Sequence, residues 1–342
     1  MSEPTPDYST VASTSDALAQ DAHLVVVVPC YNEEASLPHF VEVWSGVEKD
    51  IARYFPLIEY VLVNDGSADG TLPVMRELRQ ANERFHYTSF SRNFGKEAGL
   101  IAGLQRALDL GATHVVVMDA DLQDPPTLMA QMCQEMRGSG CDVVATYRRT
   151  REGEPLVRSW FAHRFYNLMN RHSDVQMRDG ARDFRLMTRR VVQAICSLPE
   201  RERFSKGIFA WVGFDTRWIG YDNVEREWGS TSWSFWSLVR YALDGMIAFS
   251  TAPLEAVSVA GLAIFAFSII FLLFIVVRKL IFGDPVAGWA SLVCIVAFFS
   301  GATLLAQGVV GLYVAKIYNE AKDRPYYIVA EEDGDADAGR CS

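Results

Sequence analysis

The chain has 342 residues, 50% hydrophobic and 22% charged, with a formal net charge of −10 and a pI near 5.2. That length and composition allow one large or two modest domains with a packed core. The acidic balance argues against nucleic acid, whose binding needs a basic face. The six cysteines show no CxxC or paired spacing, so neither a zinc site nor a disulfide framework is expected, and reduced thiols are.

Residues 1–22 form a polar tail rich in Ser, Thr, Pro and Asp, without the apolar core of a signal peptide, so the domain that follows is expected to stay in the cytosol. The apolar run 24–28 ends at Pro29 and reads as a central parallel strand. Directly after it comes Cys30-Tyr31-Asn32-Glu33-Glu34, then a helical pattern. A second strand at 60–63 leads through Asn64-Asp65-Gly66-Ser67-Ala68-Asp69-Gly70-Thr71 to a helix over 72–80; this is either an ordinary capped turn or a nucleotide-binding one. A third strand at 86–89 runs into Ser91-Arg92-Asn93-Phe94-Gly95-Lys96 and a helix through Leu108.

The fourth strand, 114–118, is stopped by Pro125 and Pro126, which leaves Asp119, Asp121 and Gln123 at its carboxyl end. Open α/β sheets place their ligands there. Two carboxylates one residue apart, followed by an amide carbonyl, offer hard oxygen ligands to Mg²⁺ or Mn²⁺, although a solvated acidic turn reads the same way. With a fifth strand at 142–145, the alternation predicts a doubly wound, mostly parallel sheet. Neither a Gly-x-Gly-x-x-Gly nor a Walker-type loop is present, which removes redox dinucleotides and P-loop chemistry.

Basic and aromatic residues alternate between Arg148 and Arg171, as in a helix facing anionic headgroups or an ordinary surface helix. Asp183, between Arg182 and Arg185, is either a functional carboxylate or half of a structural ion pair. The aromatic stretch before residue 241 resembles an interfacial belt. Two apolar runs, 256–277 and 287–314, are long enough to span a bilayer. Lys316, Lys322 and Arg324 favour a cytosolic end after the second, whereas Arg278 and Lys279 between the two oppose that orientation. The acidic stretch 331–337 reads as disordered and solvating.

Taken in order, Pro29-x-Tyr31-Asn32-Glu33, Asn64-Asp65-Gly66-Ser67, Asp119-Ala120-Asp121-Leu122-Gln123-Asp124-Pro125-Pro126 and Asp183-Phe184-Arg185-Leu186 resemble the family-two inverting glycosyltransferases of GT-A fold. Ser91-Arg92-Asn93-Phe94-Gly95, Arg226-x-x-Gly229 and the paired apolar runs narrow the resemblance to polyprenyl-phosphate glycosyltransferases, the group of dolichol-phosphate mannose synthase and the bactoprenol glucosyltransferases. The resemblance implies a Rossmann-like GT-A domain over 23–232, an interfacial helix over 233–250, transmembrane helices over 251–280 and 287–318, and an acidic cytosolic tail over 319–342. It implies hexose transfer from a nucleoside-diphosphate sugar, UDP-glucose first, with N-acetylglucosamine, mannose or a modified arabinose as alternatives, to polyprenyl phosphate in the cytoplasmic membrane. It also suggests a homo-oligomer.

By the same resemblance, Pro29, Tyr31, Glu33, Val63 and Asp65 would hold base and ribose. Asp119, Ala120, Asp121 and Gln123 would gather diphosphate and metal, with Arg226 adding charge. Asp183 would be the catalytic carboxylate, with Asp121 acting through the metal, while Arg203 and Lys206 would receive the acceptor phosphate. Asn64 and Ser232 depart from the pattern, where relatives often carry Asp and Lys. A processive polysaccharide synthase is disfavoured because Phe214 stands where its Gln-x-x-Arg-Trp motif needs Gln before Arg217-Trp218. A membrane-anchored nucleotide-sugar-binding module without turnover is the non-enzymatic alternative.

Overall fold

The computed structural model describes residues 21–149, 178–201, 203–222, 252–282 and 289–334. The chain divides into two compact units, one comprising 1–166, 176–234 and 325–342, the other 167–175 and 235–324. Among the described residues, the first unit is built on an eight-stranded sheet of order β7-β5-β6-β4-β1-β2-β3-β8. Its strands are β1 (His23–Cys30), β2 (Leu57–Asn64), β3 (Phe85–Phe90), β4 (His114–Val117), β5 (Val143–Arg148), β6 (Ala181–Thr188), β7 (Thr216–Tyr221) and β8 (Val329–Glu332).

The four strands foreseen first, β1 to β4, run parallel, with β1 between β2 and β4. β1 is apolar throughout its middle because both faces are covered: Leu24 through Val28 are fully buried. On one side lies α1 (Ser36–Ile51), whose Leu37, Phe40, Trp44, Val47 and Ile51 recur at helical spacing and are buried together. Trp44 meets Tyr60 edge-on at 6.1 Å. α3 (Lys96–Asp109) packs closely on β1; a Cβ at Gly103 would stand 2.2 Å from Val27 Cγ1. Also in this unit are α2 (Thr71–Ala81), α4 (Met129–Ser139), α5 (Arg189–Ser197) and α6 (Ser205–Trp211).

Three features depart from the expected plan. β6 is inserted antiparallel between β4 and β5, and β5 runs on to Arg148 rather than stopping at Ala145. The acidic tail is not solvating over its first residues: β8 adds to β3 as an antiparallel edge strand. Glu331, Glu332 and Asp333 meet Arg76, Arg106 and His86. A composition rich in Glu and Asp signals disorder only where no folded basic surface receives it; residues 335–337 of the expected disordered stretch lie outside the described residues.

In the second unit, α7 (Ala252–Phe282) and α8 (Trp289–Ala321) pack against each other. Phe298–Ala321 is long and apolar enough to cross a membrane. Leu262, Phe267 and Ile270 on α7, and Leu304, Leu305 and Ile317 on α8, are exposed. The segment 233–250, expected to be interfacial, and the basic, aromatic stretch after Arg149 lie outside the described residues.

Candidate active site

The turns after β1, β2 and β3 lock into one another. Asn32, in the left-handed region at φ +56°, accepts from Ala68 N at 2.9 Å and donates its own N–H to Ser67 Oγ at 2.9 Å. The Glu33 N–H donates to Thr71 Oγ1 at 2.8 Å, and Glu34 Oε2 accepts from Gly70 N at 2.9 Å. Asp65, buried, accepts from the backbone N–H groups of Phe94 at 2.6 Å and Gly95 at 2.9 Å. Its carboxylate therefore shapes the third turn. Burial raises its pKa despite those two donors. Gly66 is required here, because at φ +62° a Cβ would stand 2.3 Å from the Arg92 carbonyl carbon. Pro29 pairs with Val63 in the β1–β2 register, and Tyr31, 49% exposed, stands just beyond β1.

The β4–β6 ladder ends with Val117 opposite Arg185. Continued two residues in antiparallel register, it brings Asp119 and Asp183 side by side. One cation joins them: Lys96 Nζ, from the first residue of α3, lies 2.7 Å from Asp119 Oδ1 and 2.6 Å from Asp183 Oδ2. It also donates to Asp119 Oδ2 at 2.9 Å. The Lys96 side chain is 47% exposed; partial desolvation works against its charge, but the two carboxylates outweigh it and push the Lys96 pKa well above the usual lysine value. The Asp183 side chain is only 16% exposed. Burial alone would raise its pKa, yet the charges of Lys96, Lys206 and Arg185 hold it well below the usual carboxylate range. Asp183 is thus an anion at neutral pH.

Beyond Asp119, Leu122 takes φ +53° and folds the loop so that Asp121 Oδ1 accepts from Gln123 N at 3.2 Å. Gln123 Oε1 faces Arg148 Nη2 at 3.1 Å. Asp124, 2% exposed, accepts from Arg182 Nε at 2.8 Å and from the Tyr221 hydroxyl. One carboxylate so ties the loop to β6 and β7. The donor chemistry fits a hard divalent cation: two carboxylates stand at the strand end, and Asp119 already takes a cation through both oxygens. Among the described residues no group of three or more His, Cys, Asp or Glu side chains is placed to hold a metal ion.

The structure thus brings Asp119, Asp183 and Lys206 into one electrostatic neighbourhood and sets Gln123 beside Arg148. Arg203 is placed differently from a phosphate receptor: its guanidinium donates to the carbonyls of Ile195 at 2.9 Å and Leu198 at 3.1 Å, closing the end of α5. Arg226 and Ser232 lie outside the described residues. Lys96 had no role assigned from the sequence and Glu97 no mention; the part-buried Glu97 carboxylate accepts from Ser205 N and so hangs α6 beside α3. The one local signal was a lysine and a glutamate opening a helix straight after a glycine turn.

A doubly wound sheet with carboxylates gathered past its carboxyl edge places a ligand site at that edge. The chain belongs to glycosyl transferase family 2, whose model matches residues 25–196, and it is an enzyme of that class. It is 38% identical over 308 residues to an uncharacterized glycosyltransferase of Synechocystis sp., covering 90% of this chain and 95% of the relative. It is 36% identical over 307 residues to a bactoprenol glucosyl transferase of Shigella phage SfV, covering 90% and 98%. Among solved structures it is similar to glucosyl-3-phosphoglycerate synthase from Mycobacterium tuberculosis, in complex with Mn²⁺, UDP and phosphoglyceric acid. That likeness has 18% identity and a TM-score of 0.44, over 67% of this chain and 78% of that one.

Proposed function

We propose that this glycosyltransferase moves a hexose, glucose from UDP-glucose in the first instance, onto the phosphate of a membrane polyprenol with inversion at the anomeric carbon. The observation that carries the reading is the Asp119–Lys96–Asp183 bridge at the carboxyl end of the sheet, in a chain whose two long helices expose apolar side chains. Relatives named for bactoprenol glucosyl transfer support the acceptor. A polyprenyl chain cannot readily leave a bilayer, since each buried CH₂ contributes about 0.8 kcal/mol, so the enzyme must reach its acceptor there. α7 and α8 would provide that attachment, with the first unit on the cytosolic side.

Asp119 and Asp121 would hold a Mg²⁺ or Mn²⁺ ion, with Gln123 and Arg148 beside them. When bound, that ion supplies positive charge to the departing diphosphate. Pro29, Tyr31, Glu33 and Val63 would contact base and ribose, while Asp65 acts through the turn it holds. Lys206 would offset repulsion between the two phosphate-bearing substrates, and Arg203 would support it by closing α5. Arg226 would add charge to the diphosphate. Asp183, an anion flanked by cations, would stabilise positive charge growing on the sugar ring and orient the attacking phosphate.

The test is a donor screen with purified protein, polyprenyl phosphate and radiolabelled nucleotide sugars. A chloroform-soluble labelled lipid with one donor is the expected result, and the donor that works identifies the sugar. Label confined to water-soluble products with every donor would refute the lipid acceptor.

A further inference from the structure

Three residues, 322–324, separate the end of α8 from a strap, 325–333, that belongs to the first unit. Most of the strap is fastened to the sheet edge. Tyr327 stacks on Phe90 at 4.7 Å and donates its hydroxyl to Gln105 Oε1 at 2.7 Å. Glu331 accepts from Arg76 Nε at 2.8 Å and from the Tyr87 hydroxyl at 2.7 Å. Asp333 accepts from the Tyr87 N–H at 3.1 Å and meets His86 Nδ1 at 2.7 Å.

Tyr326 faces elsewhere. Its hydroxyl donates to the Glu200 carbonyl, and the guanidinium carbons of Arg201 and Arg203 lie 5.6 and 5.7 Å from its ring centroid. These three residues sit in the link between α5 and α6. Arg203 continues the connection to the carbonyls closing α5, and Ser205 continues it to Glu97. Glu97 follows Lys96, the cation shared by Asp119 and Asp183. A path of ring contacts, hydrogen bonds and neighbouring residues along the chain so runs from the strap to the site's two carboxylates.

We propose that Tyr326 is a positioning residue for the acceptor: through Glu200, Arg201 and Arg203 it fixes the α5–α6 link, so that Lys206 stands where an anionic phosphate monoester approaches Asp183. The strap then ties the chain leaving α8 to the acceptor half of the site. This rests on the transfer reaction proposed above. An aromatic ring within reach of two guanidinium groups attracts both by cation–π contact, and the hydroxyl fixes the backbone of the link itself.

The test compares full-length wild type with Tyr326→Ala and Tyr326→Phe by steady-state kinetics in both substrates and by hydrogen exchange of the amides in 198–206. Tyr326→Ala is expected to raise the KM for polyprenyl phosphate roughly five- to thirtyfold, the worth of two weak cation–π contacts and a hydrogen bond. The KM for nucleotide sugar should stay within about twofold, and exchange over 198–206 should quicken. Tyr326→Phe, which keeps the ring, should recover a large part of the acceptor KM. Equal rises in both KM values, or an acceptor KM unchanged in Tyr326→Ala, would overturn the proposal. If wild type forms no lipid product with any donor, the transfer reading fails by itself; exchange then decides the clamp, unchanged rates in Tyr326→Ala overturning it and faster rates supporting it.

Discussion

Asp124 is the residue whose loss should separate the scaffold of the site from its chemistry. Its carboxylate is buried, holds Arg182 Nε at 2.8 Å and also takes the Tyr221 hydroxyl. Asp124→Ala leaves Arg182 with its charge partner gone; breaking a buried pair on one side costs about 3–5 kcal/mol. Arg182 is 23% exposed and can draw some water, which lowers the expected loss to about 2–4 kcal/mol. For a domain of this size, that is a fall in melting temperature of roughly 5–15 °C. Tyr221→Phe removes only the hydroxyl and should cost about 1 kcal/mol, roughly 2–4 °C. Because Arg182 adjoins Asp183, displacement of β6 should also slow transfer about a hundredfold in molecules that remain folded. Thermal unfolding of the three purified proteins, followed by turnover below the lowest midpoint, measures both effects. Asp124→Ala melting within about 2 °C of wild type would refute the reasoning, since a part-buried guanidinium that has lost its partner cannot be that cheap.

Lys96→Met should lower kcat roughly a hundredfold, the usual cost of one charge-stabilising group, and should change stability in a pH-dependent way. Removing the ammonium raises the folded-state pKa of Asp183, which Lys96 helps to hold below the usual range. The deficit relative to wild type is therefore fully present at neutral pH and narrows as pH falls through the variant's higher Asp183 pKa, where the variant takes up a proton and wild type does not. Melting curves from pH 7 down into the acid range check this; a deficit that does not narrow as the variant approaches acid unfolding would contradict it. Asp121→Ala should reduce transfer at least about a thousandfold with the melting temperature nearly unchanged, and turnover persisting in excess Mg²⁺ would remove Asp121 from the metal set. Gly66→Ala forces a Cβ to within 2.3 Å of the Arg92 backbone at φ +62°. It should destabilise by more than about 1–3 kcal/mol, seen as a lower midpoint, and a neutral effect would mean that the β2 and β3 turns can separate freely.

The parallel half of the sheet was legible because each of its units carries its own local signals. An apolar run marks the strand, a polar or glycine-bearing turn its end, and amphipathic spacing the helix that returns. Pro29, Val63 and Asp119 fall at carboxyl edges for that reason, and their register follows from β1 being central. What was not legible depends on pairing between distant segments. β6 lies antiparallel against β4, and only that placement carries Asp183 next to Asp119. Lys96 reads locally as a helix start; its partners arrive from β4 and β6. Asp65 matched a nucleotide motif by identity, and the sequence did not show that its oxygens also accept the Phe94 and Gly95 amides. The acidic tail was judged on composition, which contains no record of the arginines on α2 and α3 that receive it.

The charge arrangement around Asp183 bears on the order of events in the proposed transfer. A general base works best with a pKa near the working pH, and Asp183 is held far below that by Lys96, Lys206 and Arg185. A phosphate monoester, with a second pKa near about 6, is already largely dianionic at neutral pH and has little proton to give up. The chemistry and the site agree that no proton need be removed before attack. The difficulty is instead that a dianion must approach both a diphosphate and a buried carboxylate. The cations that depress the Asp183 pKa are the same ones that lower this repulsion, so a site tuned to keep Asp183 ionised is also tuned to admit the acceptor. Arg185 cannot be the group that meets the acceptor, because it is buried over the Phe209 ring at 3.5 Å with Nη2 on the Arg182 carbonyl. Lys96 is already divided between two carboxylates. By elimination among the three, Lys206 at the start of α6 is the cation left to meet the incoming phosphate in the proposed transfer, and on that proposal the link that positions α6 would matter to acceptor binding more than to donor binding.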